Sequence, residues 1–234
     1  MVILSPNFEW LLFHVLGANL SVHLTKVAAK KISLITKIFH SSSSSNIAKY
    51  IRSICRSLPK WVMTSLVAAL VLTRLDGGNA TLVGLPARQL NRLQHVLHAA
   101  ARLVYGARKF DYVTPLLREL HWLSVPERIT FKLATLMFRC LHGTAPAYLA
   151  ESFYRAADDE SRRRLRSGAS PALLVATTRR RTLGDRAFPV AGTRVWNSLP
   201  ATLTSQSSLL TFRQQLKTLL FERSYLWLSA LLYC

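Results

Sequence analysis

The stretch RQLNRLQHVLHAAARLVY, residues 88 to 105, carries the clearest structural signal in the chain. Its apolar residues recur every three or four positions, which is the period of an α-helix with one buried face. That face is formed by Leu90, Leu93, Leu97, Ala100 or Ala101, and Val104. Gly106 follows directly and is a typical helix terminator. The stretch therefore predicts an amphipathic helix that packs its apolar side against other elements.

The other side of this predicted helix is basic. Arg88, Arg92 and Arg102 fall largely off the apolar face, and Arg108 and Lys109 follow just after Gly106. A basic helix face is either solvated or in contact with phosphate groups, and this helix alone does not decide between the two.

The chain as a whole is strongly basic, with 31 Lys and Arg against 11 Asp and Glu and a formal net charge of +20. Such a balance favours polyanionic partners, either nucleic acid or an anionic membrane surface. Six of the nine lysines lie at or before residue 60, whereas twenty of the 22 arginines lie after it. Together with the serine run at 41–45, this shift indicates that a Lys-rich N-terminal segment is separate from the rest.

Start and stop signals predict further helices. Thr114 is a candidate N-cap before Pro115, and residues 124–127, SVPE, match a capping box. The helix that follows ends near Gly143 and has an apolar face formed by Ile129, Leu133, Leu136, Met137 and Cys140. On that face, Cys140 is expected to be a buried thiol.

The remaining apolar and charged segments complete a mainly α fold. Residues 61–75 are apolar but shorter than the roughly 20 residues that span a bilayer, so we expect a buried core helix. Residues 155–181 are dense in charge and broken by Gly168 and Pro171, which predicts an exposed Arg-rich loop. Ser208 is a candidate cap for a last helix that buries Phe212, Leu216 and Leu219 or Leu220.

The chain has few residues placed for catalysis or metal binding. Its only adjacent aspartates, Asp158 and Asp159, lie in polar loop sequence with no apolar strand to hold them for a two-metal site. His95 and His98 have helical i, i+3 spacing, but dispersed histidines and three scattered cysteines do not make a zinc site. Because no nucleophile elbow, Walker A or dinucleotide motif occurs either, we expect no enzymatic activity, no metal and no cofactor.

Five blocks stand in order along the chain: TRLDGGNATLVGLP (73–86), LNRLQHVLHAAARLVYG (90–106), LLRELHWLSVPERITFKLATLMFRCLHGTAPAYL (116–149), RTLGDRAFPVAGTRVWNSLP (181–200) and LLTFRQQLKTLLF (209–221). Together, over residues 47–222, they resemble the C-terminal part of LINE-type non-LTR retrotransposon reverse transcriptases. In that family these blocks lie downstream of the polymerase palm, in thumb-like helices and the segment beyond, which help hold template RNA and target DNA. The resemblance implies a retrotransposon-derived fragment without the palm, its catalytic carboxylates or the endonuclease.

The resemblance also orders the chain. Residues 1–45 match poorly, 46–154 correspond to a helical, bundle-like thumb region, and 155–181 to the Arg-rich loop. Residues 182–234 hold GDRAF, RVWNSLP and the terminal helix, with a short irregular or β segment before that helix. The chain departs from the family pattern at Gly77 and Gly78, and at Ser124 and Thr193, where Pro is common.

The expected partner is RNA or DNA, bound through its phosphates without sequence preference, in the nucleus or cytoplasm. Trp196 either stacks on a base or anchors the core. The predicted contact residues are Arg88, Arg92, Arg102, Arg108, Lys109, Arg179, Arg180, Arg181, Arg186, Arg194 and Trp196. Two alternatives stay open: a small membrane-associated or secreted protein that uses the apolar stretch from Trp10, and a relic reading frame without a selected role.

Overall fold

The structure is a computed structural model that describes residues 59–77, 82–154, 172–178 and 184–230, the last five without their side chains. The chain divides into two compact units, residues 1–126 and 127–234. This division falls inside the region 46–154 that the sequence analysis treats as one. The Lys-rich N-terminal segment and most of the Arg-rich loop lie outside the described residues.

The described residues are mainly helical, as predicted. In the first unit the elements are α1 (Lys60–Val67), a π-helical turn (Ala68–Leu72), α2 (Thr73–Asp76), α3 (Ala87–Tyr105) and α4 (Thr114–Glu119). Helix α5 (Val125–Leu141) begins at the division between the units, and the second unit continues with α6 (Ala147–Ala150), α7 (Phe188–Asn197), α8 (Ala201–Thr204) and α9 (Leu209–Ala230).

Residues 60–76 form one continuous helical run whose middle is the wider π-helical turn. Its buried residues recur every four positions: Met63, Val67, Val71 and Leu75. In an α-helix of 3.6 residues per turn, such a series drifts around the axis by about 40° per step. The wider turn opposes this drift and keeps the buried side chains on one face. The run confirms the core helix predicted at 61–75.

Helix α3 packs against α1, the π-helical turn and α4. It buries Leu93, Val96, Leu97, Ala100, Ala101 and Val104, which confirms the predicted face except for Leu90, which is half-buried. Gly106 ends the helix with a φ of 62°. The N–H of Ala107 donates to the Arg102 carbonyl at 2.9 Å and that of Gly106 to the Leu103 carbonyl at 3.3 Å, which is the Schellman pattern.

Of two predicted helix starts, the start of α4 differs from the structure by one residue, and the start of α5 matches it closely. Thr114 is the first residue of α4 and not its N-cap, because the backbone of Val113 is already helical. Helix α5 begins at Val125, inside the predicted capping box, and its first N–H donates to Gln94 Oε1 at 2.8 Å. Gly143, with a φ of 68°, follows the end of α5 as predicted.

Helices α5, α7 and α9 of the second unit each contribute a ring to one buried aromatic cluster. Phe138 and Phe212 stack with their centroids 4.6 Å apart, and Trp196 lies 6.5 Å and 5.8 Å from them. All three rings are at most 5% exposed. Gly192 permits close approach of α5, since a Cβ there would lie 2.6 Å from the sulfur of Met137. The cluster is the core of this unit.

The predicted apolar faces of α5 and α9 are largely confirmed. Cys140 is buried, and burial raises the pKa of its thiol to about 11, so the thiol is protonated near neutral pH. On α9, Phe212, Leu216 and Leu220 are buried, which selects Leu220 over Leu219.

Residues 188–197 form α7, and the irregular segment expected before the terminal helix corresponds to residues 205–208, which are non-helical. Pro189 occupies the first turn of α7, where its fixed φ suits a helix start. Thr193 is fully buried, and its hydroxyl donates to the Pro189 carbonyl at 2.6 Å, so this buried polar group is satisfied within the helix. Among the described residues of this part of the chain, 172–178, 185–187 and 198–200 are also non-helical.

Candidate nucleic-acid interface

The first unit carries a surplus of positive charge. Among its described residues are eight Lys and Arg against three Asp and Glu. Arg88 and Arg92 are exposed one turn apart on α3, and Arg108 and Lys109 are exposed in the loop after it. Within the described ranges, none of these four side chains has an acidic partner. They are therefore open to an external anion.

Lys60, in contrast, is engaged inside the unit. Its ammonium lies 2.6 Å from a Glu119 carboxylate oxygen and 4.0 Å from the centroid of the Tyr105 ring. The Glu119 carboxylate raises the pKa of Lys60, and the Lys60 ammonium lowers the pKa of Glu119. This pair links the start of α1 to the end of α4.

The loop that follows α3 is organised by Asp111. The backbone N–H of Arg108 donates to Asp111 Oδ2 at 2.6 Å, and the N–H of Asp111 donates to the Arg108 carbonyl at 3.2 Å. The guanidinium of Arg102 donates from Nη2 to the Asp111 carbonyl at 3.1 Å. Arg102, which the sequence predicts as a phosphate contact, is half-buried and positions this loop.

Two aromatic side chains project from the same loop. Phe110 is 89% exposed and Tyr112 is 90% exposed, and the Lys109 ammonium lies 5.6 Å from the Phe110 ring centroid. We define the basic aromatic loop as Arg108 to Tyr112, sequence RKFDY. Neither ring is among the contact residues predicted from the sequence. The alternation of aromatic and charged residues directly after a helix terminator is the signal that could have found them.

Trp196, one of the predicted contact residues, lies among other aromatic rings. It is 5% exposed, within the aromatic cluster of the second unit. A ring whose faces are covered cannot stack on a base, so the alternative interpretation as a core anchor describes its position. This burial favours the core-anchor interpretation of Trp196 over base stacking.

Arg186 and Arg194, the predicted cations of the second unit that the structure describes, are more constrained than the exposed cations of α3. Arg194 is exposed, but its guanidinium donates to Asp185 Oδ1 at 3.1 Å, and the hydroxyl of Thr178 donates to the same oxygen at 2.9 Å. These side chains line a cleft of about 310 Å³ beside residues 175–177. Arg186 is half-buried, and burial lowers its pKa. Because Asp185 offsets the charge of Arg194, this cleft attracts an anion less than the surface of α3 does.

The histidines of α3 have a local structural role. The amide nitrogen of Gln94 donates to His98 Nε2 at 2.8 Å, because Gln94 Oε1 already accepts the N–H of Val125. His98 Nε2 is therefore unprotonated. Burial, with the charges of His95 and Arg102, lowers the pKa of His98 to about 4. Among the residues that the structure describes, no group of three or more side chains could hold a metal ion.

Several predicted residues lie outside the described ranges, namely Arg179, Arg180 and Arg181, the aspartates 158 and 159, and the apolar stretch from Trp10. In the part of the chain that is described, no helix is long and apolar enough to cross a membrane. Comparison with protein-family models, curated proteins and solved structures found no match.

Proposed function

We propose that this chain is a non-catalytic nucleic-acid-binding module that corresponds to the C-terminal part of a LINE-type reverse transcriptase. It binds RNA or DNA through phosphate groups, without sequence preference. The observation that carries the proposal is the set of exposed cations on and after α3, Arg88, Arg92, Arg108 and Lys109, none of which has an acidic partner in the described residues. The five sequence blocks support the family origin.

The absence of an acidic partner within the described residues matters energetically. A phosphate that binds Arg88 or Arg92 displaces water and counterions without competing with any described carboxylate, and the released counterions are the main source of affinity in such contacts. A phosphate that binds Arg194 must also compete with Asp185 at 3.1 Å. The first unit is therefore favoured as the phosphate-binding surface.

Periodicity places these cations on one side of α3. At 100° per residue, Arg88, Arg92 and Arg102 fall within an arc of about 80° around the helix axis. Arg102 in turn holds the carbonyl of Asp111, so the basic aromatic loop lies at the end of this basic face. Since α3 has 19 residues and rises about 1.5 Å per residue, the basic face with its loop extends over about 28 Å. This length corresponds to about eight successive phosphates along one strand of a duplex, which are spaced about 3.4 Å apart.

Salt dependence tests the proposal directly. The full chain is titrated with RNA and DNA oligomers of about 20 nucleotides at salt concentrations between about 50 and 300 mM. A variant with Arg88, Arg92, Arg108 and Lys109 changed to Gln is compared with it. If all four contact phosphates of a single strand, the slope of log affinity against log salt becomes shallower by up to about 3.

A matched control removes the same charge elsewhere. Lys132, Arg213, Lys217 and Arg223 are exposed in the second unit, and their combined change to Gln also lowers the net charge by four. The control is expected to keep most of the salt slope. An equal loss in both variants, binding that ignores salt, or no binding at low salt would each reject the proposal.

A further inference from the structure

The basic aromatic loop exposes two large rings that folding leaves uncovered. Phe110 and Tyr112 are 89% and 90% exposed, while the rings of Phe138, Trp196 and Phe212 are at most 5% exposed. Removing a large aromatic side chain from water lowers the free energy. Exposed aromatic side chains that occur together therefore mark interaction sites. Here the two rings and three charged residues fill five consecutive positions.

We propose that this loop is a stacking platform for the bases of single-stranded nucleic acid. The inference rests on the proposed function and deepens it. Phosphate contacts on α3 do not distinguish a single strand from a duplex, whereas stacking requires base faces that a paired and stacked duplex does not present. Phe110 and Tyr112 supply the stacking surfaces, and Arg108 and Lys109 supply cations for the adjoining phosphates.

The loop is held in shape before any ligand arrives. Asp111 accepts the N–H of Arg108 through its side chain at 2.6 Å and the guanidinium of Arg102 through its carbonyl at 3.1 Å. The Schellman pattern at Gly106 fixes the point where the loop leaves α3. Because this backbone is already ordered, binding loses less conformational entropy than it would with an unstructured segment.

Charge complementarity favours a nucleic acid strand over a lipid bilayer as the occupant. Insertion of Phe110 and Tyr112 into a bilayer would carry the Asp111 carboxylate, which lies between them in sequence, toward a low-dielectric region. Stacking on bases leaves that carboxylate in water. It also keeps Lys109, 5.6 Å from the Phe110 ring centroid, beside the ring where a strand passes.

The test compares variants of the full chain on two probes with equal numbers of phosphates, a single-stranded oligo(dU) of about 20 nucleotides and a hairpin duplex. The double variant Phe110→Leu, Tyr112→Leu keeps apolar side chains but removes the rings. Loss of even one stacked base weakens binding to the single strand by at least about fivefold. Duplex affinity and the salt slope stay unchanged, because the cations remain.

Two controls isolate the ring faces. Phe110→Tyr with Tyr112→Phe keeps both rings and retains single-strand affinity. Tyr154→Ala removes a ring that is 66% exposed outside the loop and also leaves binding unchanged. Since the substituted side chains are exposed, thermal unfolding midpoints of all variants match that of the unmodified chain.

Four results would overturn the inference. They are equal affinity of the unmodified chain for single strand and duplex, unchanged single-strand affinity in the double Leu variant, equal loss on both probes, and ring-dependent binding to phosphatidylserine vesicles without ring-dependent binding to oligo(dU). Each of these leaves salt-dependent phosphate binding standing. In contrast, no binding to either probe at low salt would reject the proposed function itself.

Discussion

Replacement of Asn197 is expected to release the segment 172–178 from helix α7. The side chain of Asn197 pairs with both backbone polar groups of Leu173, since its Oδ1 accepts the Leu173 N–H at 3.0 Å and its Nδ2 donates to the Leu173 carbonyl at 2.8 Å. The side-chain amide of Asn197 thus pairs with the backbone of Leu173 as a neighbouring β-strand would. The Leu174 N–H also donates to the Tyr154 carbonyl at 2.9 Å, and the Thr178 hydroxyl at the end of the same stretch donates to Asp185 Oδ1 at 2.9 Å.

The magnitude follows from these two bonds. Each contributes about 0.5–1.5 kcal/mol net, so Asn197→Ala destabilises the folded state by about 1–3 kcal/mol. Leu173 is only 4% exposed, which limits replacement of the lost partners by water and favours the upper half of this range. Asn197→Asp is a sharper change, because a carboxylate still accepts the Leu173 N–H but faces the Leu173 carbonyl with a second acceptor.

The assay combines urea unfolding, followed by circular dichroism, with amide hydrogen exchange at Leu173. Exchange protection there is expected to fall about tenfold for each 1.4 kcal/mol lost locally. Ser198→Asp is the matched control, because it places the same charge at the same helix end and leaves the Leu173 bonds intact. Unchanged protection at Leu173 in Asn197→Ala, or equal destabilisation by the two aspartates, would refute the reasoning.

Two further predictions concern the rings of Trp196 and His98. Trp196→Ala leaves a cavity beside Phe138 and Phe212 and lowers the free energy of unfolding in urea titrations by about 3–5 kcal/mol. The affinity of this variant for oligo(dU), measured under folding conditions, stays unchanged. Reduced affinity without destabilisation would contradict this prediction. For His98, the folded pKa of about 4 lies below the unfolded value near 6.5, so the unfolded state binds more protons between these values and stability falls as pH drops through that window. Because the ring is only half-buried, we expect about 1–2 kcal/mol more loss between pH 7 and about 4.5 in the unmodified chain than in His98→Gln, measured by urea unfolding, with His121→Asn as the exposed control; equal pH profiles would count against it.

The helices with one dominant apolar face were predictable because their signal is local. In α3, α5 and α9 the buried residues repeat at helical spacing within a single element, and glycines mark the ends of α3 and α5. Helix α7 was missed because Gly192 and three β-branched residues weaken its helical propensity. Its buried residues Phe188, Gly192 and Trp196 nevertheless recur every four positions, so tertiary packing outweighs the local preference.

The two hydrogen bonds between Asn197 and Leu173 join residues that are 24 positions apart. Local sequence patterns do not predict such a contact. Contacts made by the fold also decide which of the predicted cations have an internal hydrogen-bond acceptor, and sequence alone does not show these contacts. Arg88, Arg92, Arg102 and Arg194 all look equivalent in sequence as basic residues near an amphipathic helix. In the fold, however, the Arg102 guanidinium donates to the Asp111 carbonyl and the Arg194 guanidinium pairs with the Asp185 carboxylate. These partners come close through a turn or at a neighbouring helix end, which the sequence around each arginine does not show.

The aromatic residues show how burial decides which ring can meet a ligand. Trp196 and Phe110 both stand next to polar and charged neighbours, so sequence context favours neither. The difference arises from what surrounds each residue. Trp196 lies on a helix whose one face must be buried, whereas Phe110 lies in a turn that Asp111 closes onto itself, with both cations and rings directed away from the core. The proposed base-stacking role is therefore assigned to the loop whose rings the fold leaves uncovered, and not to the residue that packs the second unit.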